Sequence, residues 1–266
     1  MFTITNYVAA ESLEEAYTLL RKNKSNKILG GTVWMRMGSQ NIHTAIDLNQ
    51  LGLDQITENE TYIEIGAMCT LRSLETDPLI QNAFDGLLAT CVKDIVGVQF
   101  RNCATIGGSV YSRFGFSDVL TALLALDSYV ELYHEGVISL EEFINKPLEK
   151  DILVKILIKK DSVKGCYQAE RLSRTDFPVL AVAVTYGTNG YKISVGARPS
   201  KATLAYEAMD YLNTLKSEEL SEATAKIAAK KVVDELHFAS NMRGTKAFRE
   251  HLANVLVTRC LMTLTH

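Results

Sequence analysis

One stretch of this sequence reads Phe100-Arg-Asn-Cys-Ala-Thr-Ile-Gly-Gly-Ser-Val-Tyr-Ser-Arg-Phe-Gly-Phe-Ser-Asp118 and carries a glycine pair, Gly107-Gly108. The hydroxyls of Thr105 and Ser109 flank the pair. Because glycine has no Cβ, such a backbone can turn sharply and lay its N–H groups against an anion. The apolar run Val119–Leu126 then predicts a buried helix. A loop before a helix start can hold a phosphate; a tight structural turn is the alternative reading.

A second loop of the same kind lies near the N-terminus. Lys27-Ile-Leu-Gly-Gly-Thr-Val-Trp34 places Gly30-Gly31 directly after an apolar strand and directly before Thr32. Two Gly-Gly-hydroxyl loops suggest two sides of one diphosphate. Neither matches G-x-G-x-x-G or G-x-x-x-x-G-K-[ST], so the common dinucleotide and Walker loops are not present here.

Taken in order, these motifs resemble those of a known family. Gly30-Gly-Thr-Val-Trp34 followed by Val98-Gln-Phe-Arg-Asn-Cys-Ala-Thr-Ile-Gly-Gly-Ser109 looks like the FAD-binding subunit of the molybdenum hydroxylases. That family includes xanthine dehydrogenase and the medium subunit of aerobic carbon monoxide dehydrogenase. Leu123-Leu-Ala-Leu-Asp127 follows at the family's interval, and Arg243–Val257 resembles the family's closing helix. The resemblance covers essentially the whole chain.

The resemblance implies an α+β fold. Residues 1–160 would form an α/β FAD-binding domain like the PCMH and vanillyl-alcohol-oxidase domains, with subdomains at about 1–54 and 55–160. Residues 161–266 would form a C-terminal flavoprotein domain, an antiparallel sheet with helices.

Local patterns agree with this division. Alternating apolar residues predict strands at 2–5, 27–29, 44–48, 62–66, 129–133, 137–138, 152–158, 165–172, 181–186 and 191–195. Asn189-Gly190 is a typical hairpin turn. Helical spacing and caps predict helices at 12–20, 71–76, 82–96, 119–126, 141–144, 203–214, 218–233 and 244–263. The 119–126 helix should begin near Ser117 or Asp118.

The composition of the chain argues against some classes of function. The chain has 266 residues, a net charge of −3 and 47% hydrophobic residues, which is ordinary for a soluble protein and gives no electrostatic footprint for nucleic acid. We therefore expect no nucleic-acid partner. No run approaches 18 apolar residues and the first twenty lack a signal-peptide layout, so we expect no membrane association and a cytoplasmic location.

Neither cysteines nor histidines predict a metal site. The five cysteines never form C-x-x-C, and the five histidines are dispersed, whereas zinc and iron–sulfur sites use clustered ligands. We expect the cysteines to be packed thiols, with Cys103, in the approach to the second loop, as a candidate for reactivity. Since flavins carry their own redox chemistry, we expect no protein nucleophile and no catalytic side chain.

The resemblance assigns FAD as the cofactor and a set of residues that bind it. Asp118 would accept hydrogen bonds from a sugar hydroxyl, with a helix N-cap as its other role. Ile95 matches an apolar flavin contact, Leu153 an adenine contact, and Gln168 falls where relatives often have a lysine. Trp34 would lie beside the flavin, although a lone Trp after a loop is more often core. The predicted set is Lys27, Ile28, Leu29, Gly30, Gly31, Thr32, Val33, Trp34, Ile95, Thr105, Ile106, Gly107, Gly108, Ser109, Asp118, Leu153 and Gln168.

The chain departs from the family at the second loop. Many relatives have Ala-Ser-Pro-Ala-Ala-Asp where this sequence has Arg113-Phe-Gly-Phe-Ser-Asp118, and Ser109 replaces a common asparagine. Phe114 and Phe116 would shape the exposed face of the flavin or a subunit contact. These changes bear on the acceptor and on the flavin potential.

The resemblance implies a subunit of a larger oxidoreductase. A molybdenum-cofactor subunit would oxidise the substrate, and electrons would pass through a [2Fe–2S] subunit to this FAD and on to NAD⁺ or another acceptor. Two alternatives stay open: a stand-alone flavin reductase or oxidase, and a nucleotide-binding assembly module that transfers no electrons.

Overall fold

A computed structural model describes residues 2–161, 163–215 and 220–264. The chain divides into two compact units. The first unit comprises residues up to Ser73, Val98–Ser112 and Ser128–Lys160. The second unit comprises Leu74–Gly97, Arg113–Asp127 and the chain from Asp161 onward.

The strands of the described residues are β1 Thr3–Ala9, β2 Lys27–Leu29, β3 Asn41–Asp47, β4 Ile56–Glu58, β5 Tyr62–Gly66, β6 Ser128–Leu132, β7 Gly136–Ser139, β8 Leu153–Lys159, β9 Val163–Arg171, β10 Pro178–Gly187, β11 Gly190–Gly196 and β12 Thr203–Leu204. The α-helices are α1 Leu13–Lys22, α2 Leu71–Thr76, α3 Pro78–Asn82, α4 Leu87–Val92, α5 Val98–Cys103, α6 Ile106–Tyr111, α7 Asp118–Leu124, α8 Leu140–Asn145, α9 Tyr206–Thr214, α10 Glu222–Glu235 and α11 Lys246–Leu264. Short 3-10 helices cover Met35–Met37, Asn49–Leu51 and Ala83–Gly86.

The first unit holds two sheets. One is parallel, in the order β1-β3-β2, and the other is antiparallel, in the order β4-β5-β8-β6-β7. Helix α1 starts at Ser12, whose hydroxyl accepts from the Glu15 N–H at 3.1 Å, as the sequence predicts. It buries Ala16 and Leu20 against Ile46 of β3. Ile28 of β2, just before the first glycine loop, packs against the same cluster.

The second unit is built on one antiparallel sheet, in the order β12-β11-β10-β9. Residues 178–185 of β10 are buried without alternation, which is typical of a strand covered on both faces. Helices α7 and α11 both pack against β10. The predicted α+β fold is confirmed: a parallel sheet with helices precedes an antiparallel sheet with helices.

The predicted helix at 82–96 is wrong as a continuous element. Phe84 and Asp85 both have φ of 54°, in the left-handed region, so the segment breaks into α3, a 3-10 turn and α4. The Asp85 carboxylate accepts from the Gly165 N–H at 3.2 Å, and this contact with β9 competes with the local helical preference.

The structure also differs from the sequence prediction around the second glycine pair. The Gly107-Gly108 pair lies inside the short helix α6 rather than in a loop, and α5 precedes it without having been predicted. Positions 218 and 219, the predicted start of the 218–233 helix, lie outside the described residues. The predicted domain boundary near residue 160 stays a prediction.

Candidate functional site

The first glycine loop leaves backbone donors without acceptors. After β2 ends at Leu29, the chain passes through Gly30-Gly31 to Thr32, which has φ of 57°. Within the described part of the chain, no acceptor is found for the N–H groups of Gly31, Thr32 and Val33. Successive unbonded N–H groups around a left-handed residue form a concave site for an anion.

The second glycine pair has a different local structure. Thr105 caps α6 by accepting from the Gly108 N–H at 3.1 Å. The Ile106 and Gly107 N–H groups donate to the carbonyls of Cys69 and Ala67, both at 2.9 Å. These donors are therefore engaged inside the protein, and this segment does not present them to a ligand as the first loop does.

The first glycine pair packs closely against residues 103–108 within the first unit. A Cβ on Gly31 would lie 1.7 Å from the carbonyl oxygen of Cys103, and one on Gly30 would lie 2.9 Å from the Thr105 hydroxyl. No side chain fits at Gly31 without moving the Cys103 backbone. The structure thus brings together the segments 27–34 and 105–109 that the sequence singles out.

This arrangement fits an anionic group such as a phosphate. The first loop offers the free donors, and the second segment supports it from behind by close glycine contact. Two other predicted residues of the first unit differ in exposure: Trp34 is 39% exposed, whereas Leu153 is buried at the start of β8.

Positive charge accumulates beside the first loop. Lys150 donates to the Leu20 and Asn23 carbonyls at 3.2 and 2.7 Å, at the C-terminal end of α1. Burial lowers the pKa of Lys150, and the charges of Lys27 and Arg21 lower it further. Three cations near the start of the loop favour an anionic ligand.

Asp118 belongs to the second unit and is buried there in an ion pair. Its Oδ1 accepts from the Arg171 guanidinium at 2.6 Å and from the Tyr167 hydroxyl. The side chains of Asp118 and Arg171 are 6% and 8% exposed. Ser117, not Asp118, is the N-cap of α7, because its hydroxyl accepts from the Leu120 N–H.

Burial dominates the electrostatics of this cluster. Loss of water raises the pKa of Asp118, and the charge of Arg171 offsets only part of that effect. Burial also raises the pKa values of Tyr167 and Cys91 well above their usual ranges, with the Asp118 charge acting in the same direction. The charge of Asp118 is thus held by Arg171 in an apolar setting.

The remaining two predicted residues also lie in the second unit. Ile95 is half-buried just after α4, and its N–H donates to the Val92 carbonyl at 3.0 Å. Gln168 lies on β9, where it pairs with Val182 of β10.

The divergent loop 113–118 forms an aromatic cluster in the second unit. Phe114 stacks on Phe116 at 5.1 Å between ring centroids, and Phe116 contacts Phe177 at 4.7 Å. Arg243 lies over the Phe177 ring and pairs with Asp176 at 2.7 Å. The two phenylalanines that distinguish this loop are packed against each other.

Sequence reasoning missed the partners of Asp118. Arg171 and Tyr167 come from β9, about fifty residues away, and no local pattern connects them to α7. Among the described residues, no group of three or more His, Cys, Asp or Glu side chains is arranged to hold a metal ion. No helix in the same residues has the length and apolar character needed to cross a membrane.

Comparison with known proteins identifies the family. Residues 2–160 match the FAD binding domain in molybdopterin dehydrogenase, and residues 166–264 match the CO dehydrogenase flavoprotein C-terminal domain. The nicotine 6-hydroxylase medium subunit of Paenarthrobacter nicotinovorans is 25% identical, covering 96% of this chain and 95% of that protein. The glyceraldehyde dehydrogenase medium chain of Sulfolobus acidocaldarius is 23% identical, covering 96% of each chain.

Solved structures show the same fold. A chain of the carbon monoxide dehydrogenase from Hydrogenophaga pseudoflava superposes with a TM-score of 0.88 at 22% identity, over 98% of this chain and 96% of that one. The two family matches together span nearly the whole sequence. This chain therefore belongs to the FAD-binding subunits of the molybdenum hydroxylase family, and it is a flavin-binding subunit of an oxidoreductase.

Proposed function

We propose that this subunit receives electrons from a [2Fe–2S] subunit and passes them through FAD to NAD⁺ or another acceptor, in a complex whose molybdenum-cofactor subunit oxidises the substrate. The medium subunits and chains among its relatives support this assembly. Bound FAD supplies the redox chemistry, since flavins take part in both hydride and one-electron transfer. The protein's own residues bind and orient the cofactor.

The main support for the proposal is that the first glycine loop has backbone N–H groups without acceptors. We propose that the N–H groups of Gly31, Thr32 and Val33 bind the FAD diphosphate, because their left-handed turn leaves them without acceptors. Lys27 and Lys150 would favour the same anion through their positive charge. Gly108 would hold the first loop in place, because Gly30 packs against it, and Gly107 stays in the proposed set of cofactor contacts.

The other predicted contacts remain part of the proposal. They are Ile28, Leu29, Gly30, Trp34, Ile95, Thr105, Ile106, Ser109, Asp118, Leu153 and Gln168. The engagement of Asp118 by Arg171 and Tyr167 leaves its Oδ2 as the oxygen for a sugar hydroxyl. We also propose a domain boundary near residue 160, with the FAD-binding domain before it, and a cytoplasmic location for the complex.

The cofactor and the electron path are tested separately. For the cofactor, the purified chain is denatured and the released flavin is identified by chromatography; we expect FAD at about one per chain. A colourless chain that takes up no added FAD would overturn the site.

For the electron path, the tagged chain is isolated from its native host under mild conditions, and co-purifying iron and molybdenum are measured. We expect both metals in the complex, and we expect substrate-dependent reduction of NAD⁺ or an artificial acceptor by the complex. Rapid NADH oxidation by the chain alone, with no iron or molybdenum in the native complex, would favour the stand-alone reductase instead.

A further inference from the structure

Residues 149–151, a short segment of the first unit between α8 and β8, are bonded to the helix that carries the second glycine pair. The Tyr111 hydroxyl, at the C-terminal end of α6, donates to the Glu149 carbonyl at 2.6 Å. The same hydroxyl accepts from the Asp151 N–H at 3.3 Å. One side chain of α6 therefore joins the second glycine pair to this segment at two backbone atoms.

Lys150, in the middle of the segment, is bonded to the chain that leads into the first glycine loop. Its ammonium group donates to the carbonyls of Leu20 and Asn23 at the C-terminal end of α1. The last carbonyls of an α-helix have no donor within the helix, and a cation is favoured there. Strand β2 starts at Lys27, shortly after Asn23, and runs directly into the first glycine loop. Lys150 thus fixes the start of the β2 segment.

The segment is itself anchored in the fold by Asp151, which is 8% exposed. The Asp151 carboxylate accepts from the N–H groups of His134, Glu135 and Ile152 at 3.1, 3.0 and 2.7 Å. The side chain of Ile152 is 1% exposed and belongs to the same apolar cluster as Leu20 of α1. Residues 149–151 are therefore a fixed point to which Tyr111 and the end of α1 are both attached.

The two glycine-bearing segments are consequently linked at two separate places. At the first, Gly30 packs against Thr105 and Gly108 near the start of α6. At the second, residues 149–151 connect the last residue of α6 to the residues just before β2. A single link would leave the two segments free to pivot about it, whereas two links hold them in one arrangement.

We propose that Tyr111 and Lys150 are positioning residues for the cofactor, which act through residues 149–151 to hold the first glycine loop and α6 in the arrangement that binds FAD. This inference rests on the proposed function of the first glycine loop. A site that is already ordered loses less conformational entropy when its ligand binds, so its affinity is higher. For Lys150 this role is additional to the attraction of its charge for an anion, whereas Tyr111 is uncharged and acts through the segment alone.

The test compares Tyr111→Phe with the control Tyr62→Phe, each in the whole chain with FAD removed. Tyr111→Phe removes the hydroxyl and keeps the ring beside Phe143, while the ring of Tyr62 packs on Tyr129 instead. Titration with FAD should give a Kd about threefold to tenfold higher for Tyr111→Phe, as expected for one or two lost hydrogen bonds. The Kd of Tyr62→Phe should not change. In the absence of FAD, amide hydrogen exchange in β2 and α6 should be several-fold faster in Tyr111→Phe than in the wild type.

Variants of Lys150 test the other end of the link. Lys150→Met removes both bonds to α1 and the charge, so the Kd for FAD should rise at least as much as in Tyr111→Phe. Lys150→Arg keeps the charge and can donate to both carbonyls, so its Kd should stay within about twofold of the wild type. The double variant Tyr111→Phe/Lys150→Met should bind FAD about as well as Lys150→Met alone, because a link broken at one end gains nothing from its other end.

The outcomes separate this inference from the proposed function. Unchanged exchange in β2 and α6 of Tyr111→Phe, or losses of affinity that multiply in the double variant, would overturn the positioning role even if FAD binds. A wild-type chain that binds no FAD would instead overturn the proposed function, and the exchange rates, measured without FAD, would still decide whether residues 149–151 link the two segments. If Lys150→Met fails to fold, Tyr111→Phe and its control decide.

Discussion

The two units order their key segments by different means. In the first unit, two segments meet because side chains are absent at Gly30 and Gly31, and backbone lies against backbone. In the second unit, charged side chains are buried and satisfied, as with Asp118, Arg171 and Arg249. We therefore expect substitutions at these glycines to change stability through steric clashes, with no dependence on pH. Substitutions at the buried charged residues should change stability through lost charge interactions and desolvation.

The largest expected effect is at Arg249, which is 1% exposed within α11. Its guanidinium donates to the carbonyls of Val179, Ala197, Ala239 and Gly244 and to the Asn241 side chain. Arg249→Met removes this donor from the carbonyls of Val179, Ala197 and Ala239, so the free energy of unfolding in urea should fall by about 3–5 kcal/mol. Arg259→Met, at an exposed site on the same helix, should change it by less than about 0.5 kcal/mol. Equal losses in the two variants would contradict the assignment.

A smaller effect is expected at Gly31. The Ala variant would place a methyl group 1.7 Å from the Cys103 carbonyl oxygen, so the two segments must separate. We expect a loss of about 1–3 kcal/mol in the free energy of unfolding and a marked drop in FAD content, both independent of pH. Gly38→Ala is the matched control, because its nearest contact is 3.4 Å. Full FAD occupancy in Gly31→Ala would show that FAD binding does not depend on the contact between Gly31 and Cys103.

The smallest expected effect is at Asp118 and concerns how the free energy of unfolding changes with pH. Burial raises the pKa of Asp118 in the folded chain above the ordinary value of 3.8. Between that value and the raised pKa the folded state binds the proton more tightly, so the stability contributed by Asp118 falls as pH rises. Asp118→Asn lacks this titration. The stability of the wild type relative to Asp118→Asn should therefore increase as pH is lowered from about 7 toward about 4; parallel curves for the two proteins would contradict the raised pKa.

The sequence predicts local features well where the signal is local. Three such features depend on neighbouring residues: the Ser12 cap, the end of β2 at Leu29 and the start of α7 at Asp118. The break at Phe84 and Asp85 depends on a bond to β9, so the apolar spacing of residues 82–96 could not show it.

In the candidate site, too, the sequence shows local features but not contacts between distant residues. The glycine pairs are visible in the sequence, but whether their N–H groups are free depends on the carbonyls of Ala67 and Cys69, which only the fold brings near. The partners of Asp118 are equally remote. Arg249 was detectable, because it occupies the buried stripe of α11 that continues through Leu252, Leu256 and Cys260.

The division of the chain into interleaved segments has a consequence for synthesis on the ribosome. When residues 1–160 have been made, every part of the first unit exists, but the second unit has only Leu74–Gly97 and Arg113–Asp127. Helix α7, all of whose residues are buried in the complete protein, packs against β10 and β11, which are translated later. Because translation adds about 5–20 residues per second, this apolar helix exists for a few seconds before the strands that cover it are made. A nascent chain of this protein therefore passes through a brief aggregation-prone stage, and a fragment that ends at residue 160 would remain in it.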